Sequence, residues 1–218
     1  MKVIFFDLDD TLYHAPIAEC NEVLITYIAD KYGISREKAK AEFENGKKHT
    51  KDLLPNVAAT HNRLLYIQHT LERLGKNVIS DSLELYNVFW DSFLGKSVLR
   101  KGVKAVLSEL RSAGVGIGIC TDLTAHIQHR KLQKLGLMDD VNWLVTSEEA
   151  GVEKPSPPIF ELCAQKANCR FKDILFVGDN YEKDFLGSSN VGMKAVWYRE
   201  EKYPDFYKFY QEEIKSWI

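Results

Sequence analysis

Two textures alternate along the apolar positions of this chain. From Val3 to Phe6 every residue is apolar, with two β-branched and two aromatic side chains, which predicts a short buried strand. Past Gly102 the same kind of run returns at Val115–Cys120, Trp143–Val145, Ile174–Val177 and Lys194–Tyr198. Between these runs the apolar residues take helical spacing. Val103, Val106, Leu107 and Leu110 form one face closed by Gly114, and Ile127, Leu132 and Leu135 form another, opened by Thr124 and closed by Gly136. Phe160, Cys163, Ala164 and Ala167 follow Pro157 or Pro158, and Phe185-Leu186 lies on a further helix. Strand and helix alternating with short links predict a parallel sheet covered on both faces, and the strand at Met1–Phe6 has to join it.

Residues 14–97 read differently. Ile17, Cys20, Leu24, Tyr27 and Ile28 recur at helical spacing and stop before Gly33; Leu64, Ile67, Leu71 and Leu74 do so before Gly75. Leu83, Tyr86, Phe89 and Phe93 make a third stripe. A shorter helix over Ser35–Glu44, followed by the polar stretch Gly46–Lys51, fills the interval. The expectation is an α/β protein: a Rossmann-like, doubly wound parallel sheet built from residues 1–13 and 98–218, with an all-helical module at 14–97 inserted in it. In the tail, Phe206, Phe209 or Tyr210, Ile214 and Trp217 mark one helical face, either a closing helix on the sheet or a surface for a partner.

Composition narrows the function classes. With 28% charged residues, 45% hydrophobic and a formal charge of -2, no general field favours a nucleic acid polymer or an anionic membrane. No apolar run reaches the length of a membrane span or of a signal peptide. Cys20, Cys120, Cys163 and Cys169 form no C-x-x-C pair, so free thiols in a reducing, cytoplasmic setting are expected, in a monomer or homodimer.

Four stretches carry chemistry. Asp7, Asp9 and Asp10 crowd the end of the first strand with Thr11, where a parallel sheet places its ligands; Asp7 and Asp9 can share a pocket comfortably only with a cation between them. An acidic surface turn is the plainer alternative. Thr121-Asp122 places a hydroxyl and backbone N–H groups just past the second strand, a fitting cradle for phosphate oxygens. Lys154 sits in a loop stiffened by Pro155, Pro157 and Pro158. Gly178-Asp179 and then Asp184 follow another buried strand. The Gly114-Val115-Gly116-Ile117-Gly118 run lies within a predicted strand and reads as close backbone packing, not as a dinucleotide fingerprint.

Phe5-Phe6-Asp7-Leu8-Asp9-Asp10-Thr11-Leu12, Thr121-Asp122, Lys154-Pro155 and Gly178-Asp179 with Asp184 together resemble, in order, the four signatures of the haloacid dehalogenase-like hydrolases. The helical module is similar to the cap of that superfamily's first subclass. The resemblance implies a Mg²⁺-dependent phosphomonoester hydrolase acting on a small phosphorylated metabolite, a nucleoside monophosphate or a sugar phosphate, with Asp7 as nucleophile forming an aspartyl phosphate. It implies Asp9 as general acid and base, Thr121 and Lys154 as phosphoryl-binding groups, and the Asp7 carboxylate, Asp9 carbonyl and Asp179 carboxylate as Mg²⁺ ligands. Asp184 would pair with Lys154 or join the metal's outer shell. An acid at position 9 argues for phosphoryl transfer over halide displacement, because halide leaves unprotonated. Asp122 stands where relatives often carry Asn and is a candidate either for contact with substrate or for a structural role. Tyr13, His14, His49, Lys51 and Arg63 are candidates for choosing the leaving group, and the overall pattern looks like the branch holding pyrimidine 5'-nucleotidases and sugar-phosphate phosphatases. A sugar-phosphate mutase and a non-enzymatic binding module using the aromatic tail stay open as alternatives.

Overall fold

The computed structural model describes residues 2–218, which divide into two compact units, one made of the chain up to His14 with Val98–Ile218 and the other of Ala15–Ser97. The first unit is a Rossmann-like parallel α/β core. Its five strands are β1 (Val3–Phe6), β2 (Gly116–Thr121), β3 (Trp143–Thr146), β4 (Ile174–Gly178) and β5 (Lys194–Trp197), all parallel in the order β3-β2-β1-β4-β5. Met1, placed at the head of the first strand by the sequence, lies outside the described residues. β1 is central and fully buried, as a run apolar on both faces requires.

The glycines of β2 are there for contact. A Cβ on Gly118 would stand 2.2 Å from the Phe5 ring, and one on Gly116 would stand 2.7 Å from Trp143. Phe5 and Trp143 stack across the space so left, over a core that includes Val145, Ile159, Phe160 and Phe176.

Register fixes where chemistry can sit. Phe6 pairs with Ile119 on β2 and with Val177 on β4, and the Asp7 N–H still bonds the Val177 carbonyl at 2.8 Å. Asp7 is therefore the first residue past the paired positions of β1, with Thr121 and Asp179 just past the same level on either side.

The tail packs internally. A helical turn at Phe206–Phe209 runs on to Trp217, burying Phe206, Phe209, Tyr210 and Ile214. The Tyr207 and Tyr210 hydroxyls and the Lys215 ammonium all donate to Glu109, on the helix Val103–Ser112 of the same unit.

The second unit is the inserted helical cap domain, numbered here in chain order: α1 (Ile17–Tyr32), α2 (Arg36–Leu53), α3 (Arg63–Leu74) and α4 (Val78–Lys96). Two expectations change. The short helix over Ser35–Glu44 continues unbroken to Leu53, because Gly46 is a packing contact and not a stop: a Cβ there would lie 2.6 Å from Thr70 Oγ1 and 2.8 Å from the Tyr66 carbonyl on α3. On α4 the buried face is Leu85, Phe89, Trp90 and Phe93, and Leu83 is 61% exposed. Among the described residues no helix is long and apolar enough to cross a membrane.

Candidate functional site

At the carboxyl end of the core sheet the loops after β1, β2, β3 and β4 meet around one ammonium group. Lys154 Nζ donates to Asp7 Oδ1 and to Asp184 Oδ1, both at 2.7 Å, and to the Cys120 carbonyl at 3.2 Å. All three of its protons are thus used, in a side chain only 3% exposed. Burial works against the Lys154 charge, but Asp184 and Asp7 hold its pKa well above the ordinary lysine value.

Carboxylates outnumber cations here. Asp7, Asp179 and Asp184 each bring an oxygen within 4.8 Å of the others. Burial raises the Asp7 pKa well above the carboxylate range; Lys154 opposes it, while Asp184, Asp179 and Asp9 push the same way. Asp179 is pushed up to about 6 by burial and by the Asp184 charge, against a bond from Thr11. Such a set of hard oxygen donors, reluctant to ionise together, suits a divalent cation.

Local structure explains how each member is held. The Asp179 N–H donates to Thr11 Oγ1 at 3.1 Å, and the Thr11 hydroxyl lies 3.1 Å from both Asp7 Oδ2 and Asp179 Oδ1, so one side chain sets the spacing of two acids. Asn180 caps the π-helical turn Tyr181–Leu186 by accepting from the Glu182 and Lys183 N–H groups. That turn folds Asp184 back over Gly178, where a Cβ would meet the Asp184 carboxylate at 2.3 Å, and the Asn180 N–H bonds Asp184 Oδ2 at 3.0 Å. A bulged, π-type turn at this point carries the acid to the lysine.

The β2 side is arranged differently. Asp9 faces the helix Ala125–Lys134, where Lys131 Nζ reaches its two carboxylate oxygens at 2.6 and 2.8 Å. The Tyr13 hydroxyl donates to Asp9 Oδ1 and the Gln128 amide lies 3.3 Å from Oδ2. Burial tends to raise the Asp9 pKa, but the Lys131 charge and the bonds from Lys131, Tyr13 and Gln128 leave it below the ordinary value. Gln128 also donates to Thr121 Oγ1 at 2.9 Å, while the Thr121 hydroxyl gives its own hydrogen to the Asp122 carbonyl in a long bond of 3.3 Å.

Asp7, Asp9, Thr121, Lys154, Asp179 and Asp184 thus come together at one edge of the core. Asp122 lies beside them with its carboxylate engaged by protein: Oδ1 takes the Lys154 N–H at 3.0 Å and Oδ2 takes Lys183 Nζ at 2.8 Å. His14 is exposed, 3.7 Å from Asp10. His49, Lys51 and Arg63 belong to the helical unit. His49 and Lys51 are exposed on α2, the His49 ring edge-on to His69 at 4.6 Å. Arg63 lies over the Tyr66 and Phe89 rings at 5.0 Å and donates to the His61 carbonyl.

Lys131, Gln128 and Lys183 escaped the sequence reading. A signal existed for the first two: Gln128 and Lys131 share the buried stripe of their helix with Ile127 and Leu132, and a polar residue at a core position needs a partner. Lys183 carries no such mark, because its turn has no helical face to violate.

A strand-end aspartate cluster around a buried lysine, on this sheet order, defines a class of hydrolase. The haloacid dehalogenase-like hydrolase family profile matches residues 1–192, and the chain belongs to that family. It is 35% identical over 199 residues to a ribulose-1,5-bisphosphate 5-phosphatase of Halopiger xanaduensis, covering 88% of this chain and 82% of that protein. It is 30% identical over 221 residues to a glyceraldehyde 3-phosphate phosphatase of Pyrococcus furiosus, covering 97% and 86%. The crystal structure of a HAD phosphatase from Thermococcus onnurineus shares the fold with a TM-score of 0.76 at 22% identity, over 97% of both chains.

Proposed function

We propose that this chain hydrolyses small phosphomonoesters with Mg²⁺ through a phosphorylated Asp7. The observation that carries this reading is the Asp7 carboxylate at the end of the central strand, 2.7 Å from Lys154 Nζ and clustered with Asp179 and Asp184. A carboxylate so held is aimed, and its neighbouring ammonium offsets the charge of an incoming phosphate.

An Asp7 oxygen bonds to phosphorus as the bond to the leaving oxygen breaks, and that oxygen takes a proton from Asp9. Water then attacks phosphorus and gives its proton to the Asp9 carboxylate, the Asp7–phosphorus bond breaks, and inorganic phosphate leaves. Paired with Lys131, Asp9 is a carboxylate in the resting arrangement, ready for the second step; the first requires it to have taken up a proton. Thr121 turns its hydrogen from the Asp122 carbonyl, 3.3 Å away, to a phosphoryl oxygen, its own oxygen being held by Gln128. Lys154 neutralises the transferring group, and Asp184 keeps that lysine in place. The Asp7 and Asp179 carboxylates and the Asp9 carbonyl would hold Mg²⁺, which would supply positive charge to keep both acids ionised and to offset their repulsion of phosphate. His49, Lys51 and Arg63 carry no step in this reading.

The names of the relatives, a bisphosphorylated pentulose and a phosphorylated triose phosphatase, favour a short phosphorylated sugar over a nucleotide. A screen of sugar phosphates, nucleoside monophosphates and an aryl phosphate, with MgCl₂ and phosphate detection, tests the reading. Phosphate release is expected, with Asp7→Asn reducing it on the order of 10⁴-fold or more. Undiminished turnover in Asp7→Asn would remove the nucleophile from the scheme.

A further inference from the structure

Lys154 can neutralise a phosphoryl group only if its backbone is as well fixed as its ammonium. The fixing comes from residues with no step in the scheme above. Asp122, after β2, accepts the Lys154 N–H on Oδ1 at 3.0 Å and Lys183 Nζ on Oδ2 at 2.8 Å. Lys183 reaches on to Glu153 Oε2 at 3.3 Å, the residue just before Lys154. The ring closes through the Glu153–Lys154 peptide. Exposure of the side chains falls from 34% at Lys183 to 17% at Asp122 and 5% at Glu153, so the group is largely out of water.

Two adjacent residues of one loop therefore meet two adjacent residues of another. Glu153 meets Lys183, Lys154 meets Asp184, and Asp122 lies across the first pair. We infer that Asp122, Lys183 and Glu153 form a charged clamp that positions Lys154, and that Asp122 is a positioning residue without substrate contact. This inference rests on the role given to Lys154 in the proposed phosphatase reaction.

The chemistry explains why position 122 carries an acid in this chain. Both oxygens of Asp122 face donors, a backbone N–H and an ammonium. An asparagine would have to turn its NH₂ toward one of them, setting donor against donor. Asp122 and Lys183 are thus matched to each other. A chain with Asn at 122 needs an acceptor at 183.

That requirement supplies the test. Steady-state kinetics with Mg²⁺ and the best substrate of the screen are compared for wild type, Asp122→Asn, Lys183→Gln and the double variant Asp122→Asn/Lys183→Gln. In the double variant the new amide at 122 can donate to the Gln oxygen at 183 while the Gln NH₂ faces Glu153. A displacement of Lys154 by about 1 Å is enough to cost up to 10²-fold in rate. Asp122→Asn is expected to lower kcat by about tenfold or more with KM within about twofold, and the double variant to recover most of the loss. Amide hydrogen exchange at Lys154, read by NMR, should quicken in Asp122→Asn and slow again in the double variant, which needs no turnover.

Three results would overturn the clamp: unchanged kcat and unchanged Lys154 exchange in Asp122→Asn, losses that simply add in the double variant, or a raised KM alone. The last would make Asp122 a substrate contact. Wild-type protein that releases no phosphate from any substrate would instead defeat the phosphatase reading, and the exchange measurement would still decide the clamp.

Discussion

The two flanks of the β1 exit hold carboxylates under opposite electrostatic terms. On the β4 flank Asp7, Asp179 and Asp184 share a single ammonium, Lys154, and the pKa of Asp7 and Asp179 rises. On the β2 flank Asp9 has Lys131 to itself, with two more donors, and its pKa falls. Asp7 and Asp9 are two residues apart in one turn. What separates them is which neighbouring loop or helix each one faces. The excess of acid on one flank could hold a divalent cation, and in the proposed reaction the matched pair on the other carries the proton.

Lys154→Met breaks the comparison hardest. It leaves Asp7 and Asp184 buried without their cation, and truncating one partner of such a pair typically costs about 3–5 kcal/mol. Urea unfolding of the metal-free protein should show this loss near neutral pH and a smaller one at about pH 5, where Asp7 relieves the repulsion by taking up a proton. Equal losses at both pH values would mean that the lysine is not balancing these acids.

Lys131→Met should convert the β2 flank toward the β4 type. The Asp9 pKa rises when its countercharge goes, so the limb of the kcat/KM profile that follows Asp9 moves to higher pH. Asp9 also loses the two bonds that aim it, so the rate should drop on the order of 10²-fold across the profile, the lower end of what a positioned acid–base group contributes. A profile with unmoved limbs would detach Lys131 from Asp9.

The smallest effect distinguishes the flanks without mutation. Asp179 has its folded pKa raised to about 6, so the metal-free fold binds more protons than the unfolded chain there. Its contribution to stability is present below the unfolded value, near about 3.9, and is lost as pH rises through about 6. Asp9, depressed, contributes stability that is present above its unfolded value and lost as pH falls through the folded one. In the proposed site, bound Mg²⁺ would offset the Asp179 penalty. Its affinity by calorimetry should therefore weaken at least about tenfold from about pH 7.5 to about pH 5, since it must displace the Asp179 proton and, with it, any proton on Asp7. An affinity flat across that range would place the ion away from Asp179.

Much of this architecture is written in local pattern. Short apolar runs alternating with amphipathic stretches predicted the parallel core, and a strandless tract of helical stripes predicted the insertion. The four polar stretches fell where strands end, because a parallel sheet exposes side chains to a common edge only there. Gly46 misled, since a glycine that lets two helices approach is indistinguishable in sequence from one that ends a helix.

Sequence alone determined which strands would be buried and which loops would carry acids, because burial and turn chemistry depend on residues a few positions apart. Tertiary structure alone decided which acid meets which lysine. Lys131 lies 122 positions from Asp9, and Lys183 lies 61 from Asp122. Ion pairs of that span are set by sheet register and helix rotation, and nothing local in the chain records either.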